Sequence, residues 1–312
     1  MSPLGPNPLD PRPLGSKPLD GQVVVITGGG RGLGRAFALH LAGQGARLVI
    51  NNRNRIVDER GLGPADHVVA EIRAAGGAAV AEHGDVAEPA TADRLVELAL
   101  STWGRIDACV TSAAISSPGM FHKSGAESFA SVIRTNLLGS AQVAAACAAV
   151  MREQRHGRIL LVASTAGLHG EPTVSAYAAS KGGVIALGRS IAVEGAARGV
   201  FTNMLLPYAL TQMTDAGMES RHRDLMDAAA VAPVAAALCD PRCTLNGEVI
   251  VAAGGGLRVA SSVEWGTVAL PTGSALDPAG LAGLVADSRK GPAHEYVNAQ
   301  DGFLDFAEEM TR

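Results

Sequence analysis

The junction around residue 27 constrains this chain more than any other feature. Gln22-Val23-Val24-Val25-Ile26 runs directly into Thr27-Gly28-Gly29-Gly30-Arg31-Gly32-Leu33-Gly34. Leu33, Phe37 and Leu41 then recur at a spacing of four. A short apolar run without alternation fits a strand buried on both faces. Apolar residues four apart share one face of a helix. The glycines between them allow a sharp turn and a close approach of the backbone to a bound group. A strand that enters a helix this way needs parallel neighbours reached by crossover connections.

The rest of the chain supplies those neighbours. Strand-like runs fit Arg47–Asn51, Ala78–Glu82, Ile106–Thr111, Arg158–Ala163, Val200–Leu206 and Glu248–Ala252. Helical patterns fit Ala65–Ala75, Thr91–Thr102, Ala126–Gln154, Ala176–Arg198 and Arg223–Cys239. Repeated β-then-α order predicts an α/β, Rossmann-like, doubly wound parallel sheet of about seven strands, with helices on both faces. Residues 21–256 read as one domain. Residues 257–312 read as a C-terminal extension with no further βα unit.

Residues 1–20 form a proline-rich arm. Six of the 16 prolines lie there, and a Pro-Leu pair recurs at Pro3-Leu4, Pro8-Leu9, Pro13-Leu14 and Pro18-Leu19. Such density favours a solvated polyproline II chain. Two readings stand: a disordered leader, or an arm that lays its leucines on the body or on a second subunit.

Composition narrows the function. The 312 residues carry 26 Lys+Arg against 30 Asp+Glu, for a net charge of −4. A mildly acidic chain without a basic block is a poor partner for nucleic acid or a membrane surface. No apolar run reaches the ~20 residues of a membrane span. No charged segment followed by an apolar stretch opens the chain, so no secretory leader is expected. Cys109, Cys147, Cys239 and Cys243 are scattered and predict buried free thiols, in keeping with the cytoplasm. Cys239 and Cys243 lack a second ligand pair at zinc-like spacing, so no metal site is expected.

Several positions carry chemistry. The glycine run Gly28–Gly34 sits between a strand and a helix, where backbone N–H groups and the helix dipole favour a pyrophosphate. At the end of the second strand an acid would bind the ribose hydroxyls of NAD. This chain has Asn52 and Arg53 there, with Arg31 nearby in the glycine run. Guanidinium groups suit a 2′-phosphate, so NADP(H) is favoured; NAD(H) bound through backbone and Asn52 stays open. Tyr177 and Lys181 stand at i and i+4, hence on one helix face. A nearby cation lowers a phenol toward the working pH and makes it a general acid–base. Ser164 ends a strand, at the edge where open parallel sheets bind ligands. Asn136 lies inside a long helix, a disfavoured place for asparagine that performs no task.

Glycine loop, Asn136, Ser164, Tyr177 and Lys181, in this order, resemble the short-chain dehydrogenase/reductase family over residues 21–256. Gly84-Asp85-Val86 is similar to that family's adenine-contacting segment. A closer likeness is to the (3R)-hydroxyacyl-CoA dehydrogenase domain of peroxisomal multifunctional enzymes and its stand-alone bacterial relatives. It is carried by Gly32–Leu39, by the insertion Asn51–Gly63 leading to Val68–Gly77, by Pro207–Thr214, and by Val231-Ala232-Pro233-Val234 before Leu238-Cys239.

The resemblance implies interconversion of a ketone and a secondary alcohol. Tyr177 is then the acid–base, and Lys181 tunes it and holds the nicotinamide ribose. Ser164 orients the substrate oxygen, and Asn136 holds a water that links Lys181 to solvent. It implies cofactor contacts at Gly28, Arg31, Gly32, Leu33, Gly34, Asn52, Arg53, Asp85, Val86, Ser112, Ala113, Ala114, Tyr177, Lys181, Pro207 and Thr214. Thr165, His169 and Tyr208 are candidates for the substrate side; His122 and Lys123, and Arg221, His222 and Arg223, are weaker ones. Three departures stand out. Thr111-Ser112-Ala113-Ala114 replaces Asn-Asn-Ala-Gly, Asn52 replaces an acid, and Tyr208 follows Pro207.

The implied substrate is a 3-oxoacyl or 3-hydroxyacyl thioester, with a polyketide-like or cyclic ketone as the alternative. A non-catalytic cofactor sensor or partner subunit is the competing class, motivated by Thr111–Ala114. The resemblance also implies a homodimer or homotetramer, and the long helices Ala126–Gln154 and Ala176–Arg198, rich in Ala and Gly, can pack closely about a two-fold axis.

Overall fold

The computed structural model describes residues 17–53, 57–209, 226–271 and 277–311. The first strand, β1 (Val23–Thr27), is buried along its whole length. It leads through the glycine run into α1 (Gly32–Gly43), β2 (Arg47–Asn51), α2 (Pro64–Ala74), β3 (Ala78–Glu82), α3 (Pro89–Trp103) and β4 (Ala108–Thr111). Proline at the start of α2 and α3 supplies a fixed φ where no N–H partner is needed.

The second half follows as α4 (Ala126–Ile133), a π-helical turn (Arg134–Leu138), α5 (Gly139–Gln154), β5 (Gly157–Val162), α6 (Ala166–His169) and α7 (Ser175–Ala196). Then come β6 (Val200–Pro207), α8 (Ala228–Cys239), β7 (Val249–Ala253) and β8 (Gly256–Ala260). The sheet order is β3-β2-β1-β4-β5-β6-β7-β8. The pairings from β3 through β7 are all parallel. Strand order reverses direction at β1 and β4, the switch point where such sheets bind ligands.

The doubly wound sheet is as expected, with corrections in detail. The expected count of about seven strands comes out at eight, with β8 extending the sheet beside β7. The helix expected over 126–154 is broken by the π-helical turn, which rotates Thr135 and Asn136 into the interior. The helix expected from Arg223 is described from Ala228, where the Asp227 carboxylate caps it by accepting from the Ala229 N–H at 2.9 Å.

Leu19, from the last Pro-Leu pair, is fully buried in the main core beside Phe37 and Leu41. Its N–H donates to the Gln44 carbonyl at 2.9 Å, which pins the chain before β1 begins. The three earlier Pro-Leu pairs lie outside the described residues.

The chain divides into two compact units, one ending at Val259 and one beginning at Ala260. The second carries β9 (Glu264–Trp265), α9 (Pro278–Ser288), β10 (Ala293–His294) and α10 (Ala299–Thr311). The short strands β9 and β10 pair antiparallel. The Tyr296 O–H donates to Asp305 Oδ2 at 2.5 Å, and His294 Nδ1 lies 3.5 Å from the same oxygen. No helix among the described residues is long and apolar enough to cross a membrane.

Candidate active site

A cleft of about 880 Å³ lies over the C-terminal ends of β1, β4 and β5. Its walls include Gly28, Arg31, Gly32, Leu33, Gly34, Asn52, Arg53, Asp85, Val86, Ser112, Ala113, Ala114 and Pro207. Ser164, Thr165, Tyr177, Lys181 and Tyr208 line the same cleft. His169 does not line it, and Thr214 and Arg221–Arg223 lie outside the described residues. His122 and Lys123 sit on an exposed 3-10 turn. Cys109, Cys147 and Cys239 are buried free thiols and Cys243 is half-buried.

The glycine end is built by close backbone contact. Gly28 has φ +66°, and a Cβ there would fall 2.8 Å from the Ala113 backbone. A Cβ on Gly34 would strike the Gly28 carbonyl. Helix α1 therefore starts tight against the loop, with its N-terminal N–H groups free of side-chain caps. Thr27 Oγ1 accepts from the N–H groups of Ser112 and Ala113 at 3.2 and 3.3 Å. That tie is made with backbone donors, so it does not depend on the side chains that Thr111 and Ser112 put in place of asparagines. A dinucleotide pyrophosphate fits this cradle, since its backbone surface is kept bare and its free N–H groups need acceptors.

The far end of the glycine wall is an acid–base network. Asn51 is buried, and its amide donates to Glu82 Oε2 at 2.6 Å and to the Gly84 carbonyl at 2.9 Å. The Glu82 carboxylate also takes Arg94 Nε at 3.0 Å. Asn51 organises this corner, yet sequence reading centred on its neighbour Asn52. The signal available was the expected strand itself, which ends on a polar residue. Asn52 turns to the Arg53 carbonyl. Arg53 pairs with Asp85 at 2.7 Å, both half-buried. Arg31 is exposed at the cleft edge.

At the opposite end, β5 delivers Ser164 and α7 delivers Tyr177 and Lys181. Ser164 Oγ accepts from the Ala166 N–H at 3.2 Å and shares a hydrogen bond with Tyr177. Lys181 is fully buried; its Nζ lies 5.7 Å from the Tyr177 ring centre and donates to the Val162 carbonyl at 2.7 Å. Burial drives the Lys181 ammonium down to about 8. Burial also raises the Tyr177 phenol, and the Ser164 hydrogen bond opposes that rise.

Asn136 does not line the cleft but stands behind it. Its Oδ1 accepts from the Ile115 N–H at 2.8 Å, and its Nδ2 donates to the Ile115 carbonyl at 2.9 Å and to Ser180 Oγ at 3.0 Å. Both N–H donors of the side-chain amide are therefore used in bracing, and Oδ1 keeps a second lone pair. Its own carbonyl accepts from Ser140 Oγ at 2.7 Å.

The model of the short chain dehydrogenase family matches residues 22–224. The chain belongs to that family. A short-chain type dehydrogenase/reductase of Mycobacterium tuberculosis is 39% identical over 236 residues, covering 75% of this chain and 82% of that protein. The peroxisomal multifunctional enzyme type 2 of Mus musculus is 37% identical over 232 residues, 73% of this chain. This chain spans only 31% of the mouse enzyme's length. A crystal structure of a short chain dehydrogenase from Mycobacterium avium superposes with a TM-score of 0.77 at 33% identity, covering 89% of this chain and 98% of that one. This short-chain dehydrogenase is accordingly an oxidoreductase acting on CH–OH groups.

Proposed function

We propose that this short-chain dehydrogenase interconverts a ketone and a secondary alcohol with NADP(H), with Tyr177 as the general acid–base. The observation that carries the reading is one cleft with a bare glycine cradle at one end and Ser164, Tyr177 and Lys181 at the other. Nicotinamide, when bound, supplies or accepts the hydride. Ser164 orients the substrate oxygen by a hydrogen bond. Tyr177 donates its phenolic proton to that oxygen in reduction and takes it back in oxidation. Lys181 places a positive charge beside the phenol and offers Nζ to a ribose hydroxyl. Asn136 fixes Ile115 in the cleft wall and α7 behind it.

The exposed guanidinium of Arg31 supports a 2′-phosphate, while Arg53, held by Asp85, adds positive charge to the same corner. A 3-oxoacyl or 3-hydroxyacyl thioester is the proposed substrate, on the likeness to the hydroxyacyl-CoA dehydrogenase domain. A polyketide-like or cyclic ketone is the second reading, supported by the half-exposed Tyr208 phenol in the cleft wall. We assign residues 21–256 as the catalytic domain, flanked by an arm over 1–20 and an extension over 257–312. The proposed setting is the cytoplasm, as a homodimer or homotetramer.

The test is consumption of NADPH and NADH with a panel of 3-oxoacyl thioesters and cyclic ketones. The expected result is turnover of a thioester with NADPH preferred at least tenfold over NADH in kcat/KM, about 1.4 kcal/mol. Cofactor binding without turnover of any panel member would favour a non-catalytic sensor instead.

A further inference from the structure

Ser180 stands between Tyr177 and Lys181 on α7, fully buried. Its hydroxyl has two partners. The O–H donates to the Tyr177 carbonyl at 2.7 Å, and the oxygen accepts from Asn136 Nδ2 at 3.0 Å. Asn136 is itself completely buried, on the π-helical turn that packs against α7. Its two remaining bonds grip the N–H and carbonyl of Ile115, a residue of the cleft wall.

One line of hydrogen bonds therefore runs from the cleft wall, through Asn136 and Ser180, to the backbone of Tyr177. A hydroxyl that bonds back within its own helix gives little to helix stability, and alanine is the better helix former. What Ser180 offers that alanine lacks is an acceptor for a buried amide N–H. Without it, Asn136 Nδ2 keeps only the Ile115 carbonyl, in a place water does not reach. A buried donor stripped of its acceptor shifts to regain one. Any shift of the amide moves the Ile115 backbone it holds from both sides.

We propose that Ser180 is a positioning residue for the reaction, holding Asn136 in place and so fixing the cleft wall at Ile115 relative to Tyr177 and Lys181. The role in catalysis rests on the function proposed above; the brace itself does not. A wall displaced by a fraction of an ångström leaves substrate able to bind but poorly aligned for transfer.

Two measurements on the full chain test it. Amide hydrogen exchange of the peptide containing Ile115 needs no substrate. Ser180→Ala should speed exchange at that peptide about tenfold, while peptides in β2 and β3 stay unchanged. Equal exchange in both proteins would overturn the brace. Steady-state kinetics form the second arm. Ser180→Ala should lower kcat about tenfold with KM within twofold. Asn136→Ala should lose at least as much, and the double variant no more than Asn136→Ala alone, because the serine acts through the asparagine. Losses that multiply, or an unchanged kcat, would overturn the positioning role. Should Ser180→Ala fail to fold, Ser180→Cys keeps the shape in a slightly larger side chain with a weaker acceptor and must shift both readouts the same way. If the wild type turns over no ketone, the proposed function fails while the exchange arm still decides the brace.

Discussion

Tyr177 and Lys181 are both pushed toward their neutral forms by burial, the phenol upward and the ammonium down to about 8. A raised phenol keeps its proton through neutral pH, which suits it to donate in ketone reduction. Reduction should therefore be insensitive to pH around neutrality, whereas alcohol oxidation should rise as pH increases toward the phenol's own range. Initial rates in both directions across pH check this; an oxidation rate that falls on raising pH would contradict it. Arg31 and Arg53 separate by a similar argument. Arg31→Ala should weaken NADPH about tenfold or more and leave NADH nearly unchanged, since an exposed guanidinium has a phosphate to meet and little else. Binding isotherms for both cofactors decide it. Tyr177, Lys181 and Ser164 were legible from spacing and strand position. Asn51 and Ser180 were not. Their meaning lies in partners far away along the chain, Glu82 for the first and Asn136 for the second.

At the level of elements, local pattern located the strands of the sheet and most helices, because buried parallel strands leave unbroken apolar runs. It failed where long-range bonds reshape a helix. The π-helical turn at Arg134–Leu138 carries Asn136, whose amide reaches both polar groups of the Ile115 backbone. Just before β5 stands a pH-sensitive histidine, His156. Burial, with Arg158 and Arg105 close by, holds His156 down at about 4, against the pull of Asp107. An unfolded chain binds a proton near the ordinary value of about 6.5. The folded chain declines it until about 4, so stability falls as pH drops through that window. Urea midpoints should decline from about pH 6.5 to about pH 4, and His156→Gln should flatten that decline. Leu19 gives a second check. Its side chain is wholly inside the core although the sequence places it in a proline-rich arm. Leu19→Ala should cost about 2–5 kcal/mol in denaturant unfolding.

Across the whole molecule, a doubly wound sheet puts the glycine turn after β1 and the serine after β5 on one edge, and α7 supplies the phenol and ammonium there. The alternation of β and α was sufficient to read this. The second unit was illegible as structure. Its strands are two residues each, and the apolar stripe of α10, Phe303, Phe306 and Met310, belongs to a helix that buries almost nothing. Leu281, Val285, Phe303 and Phe306 are exposed there. A homodimer or homotetramer should appear by sedimentation as two or four chains, and a monomer at micromolar concentration would contradict that assembly.

The claim most central to the account is that Tyr177 moves the proton. It is tested most directly by Tyr177→Phe, with kcat measured on the best ketone and Kd measured for NADPH. The account predicts a loss of at least about a hundredfold in kcat, the lower end for a positioned acid–base. It also predicts a Kd within twofold of wild type. A Tyr177→Phe enzyme that turns over every accepted ketone at the wild-type rate would contradict it.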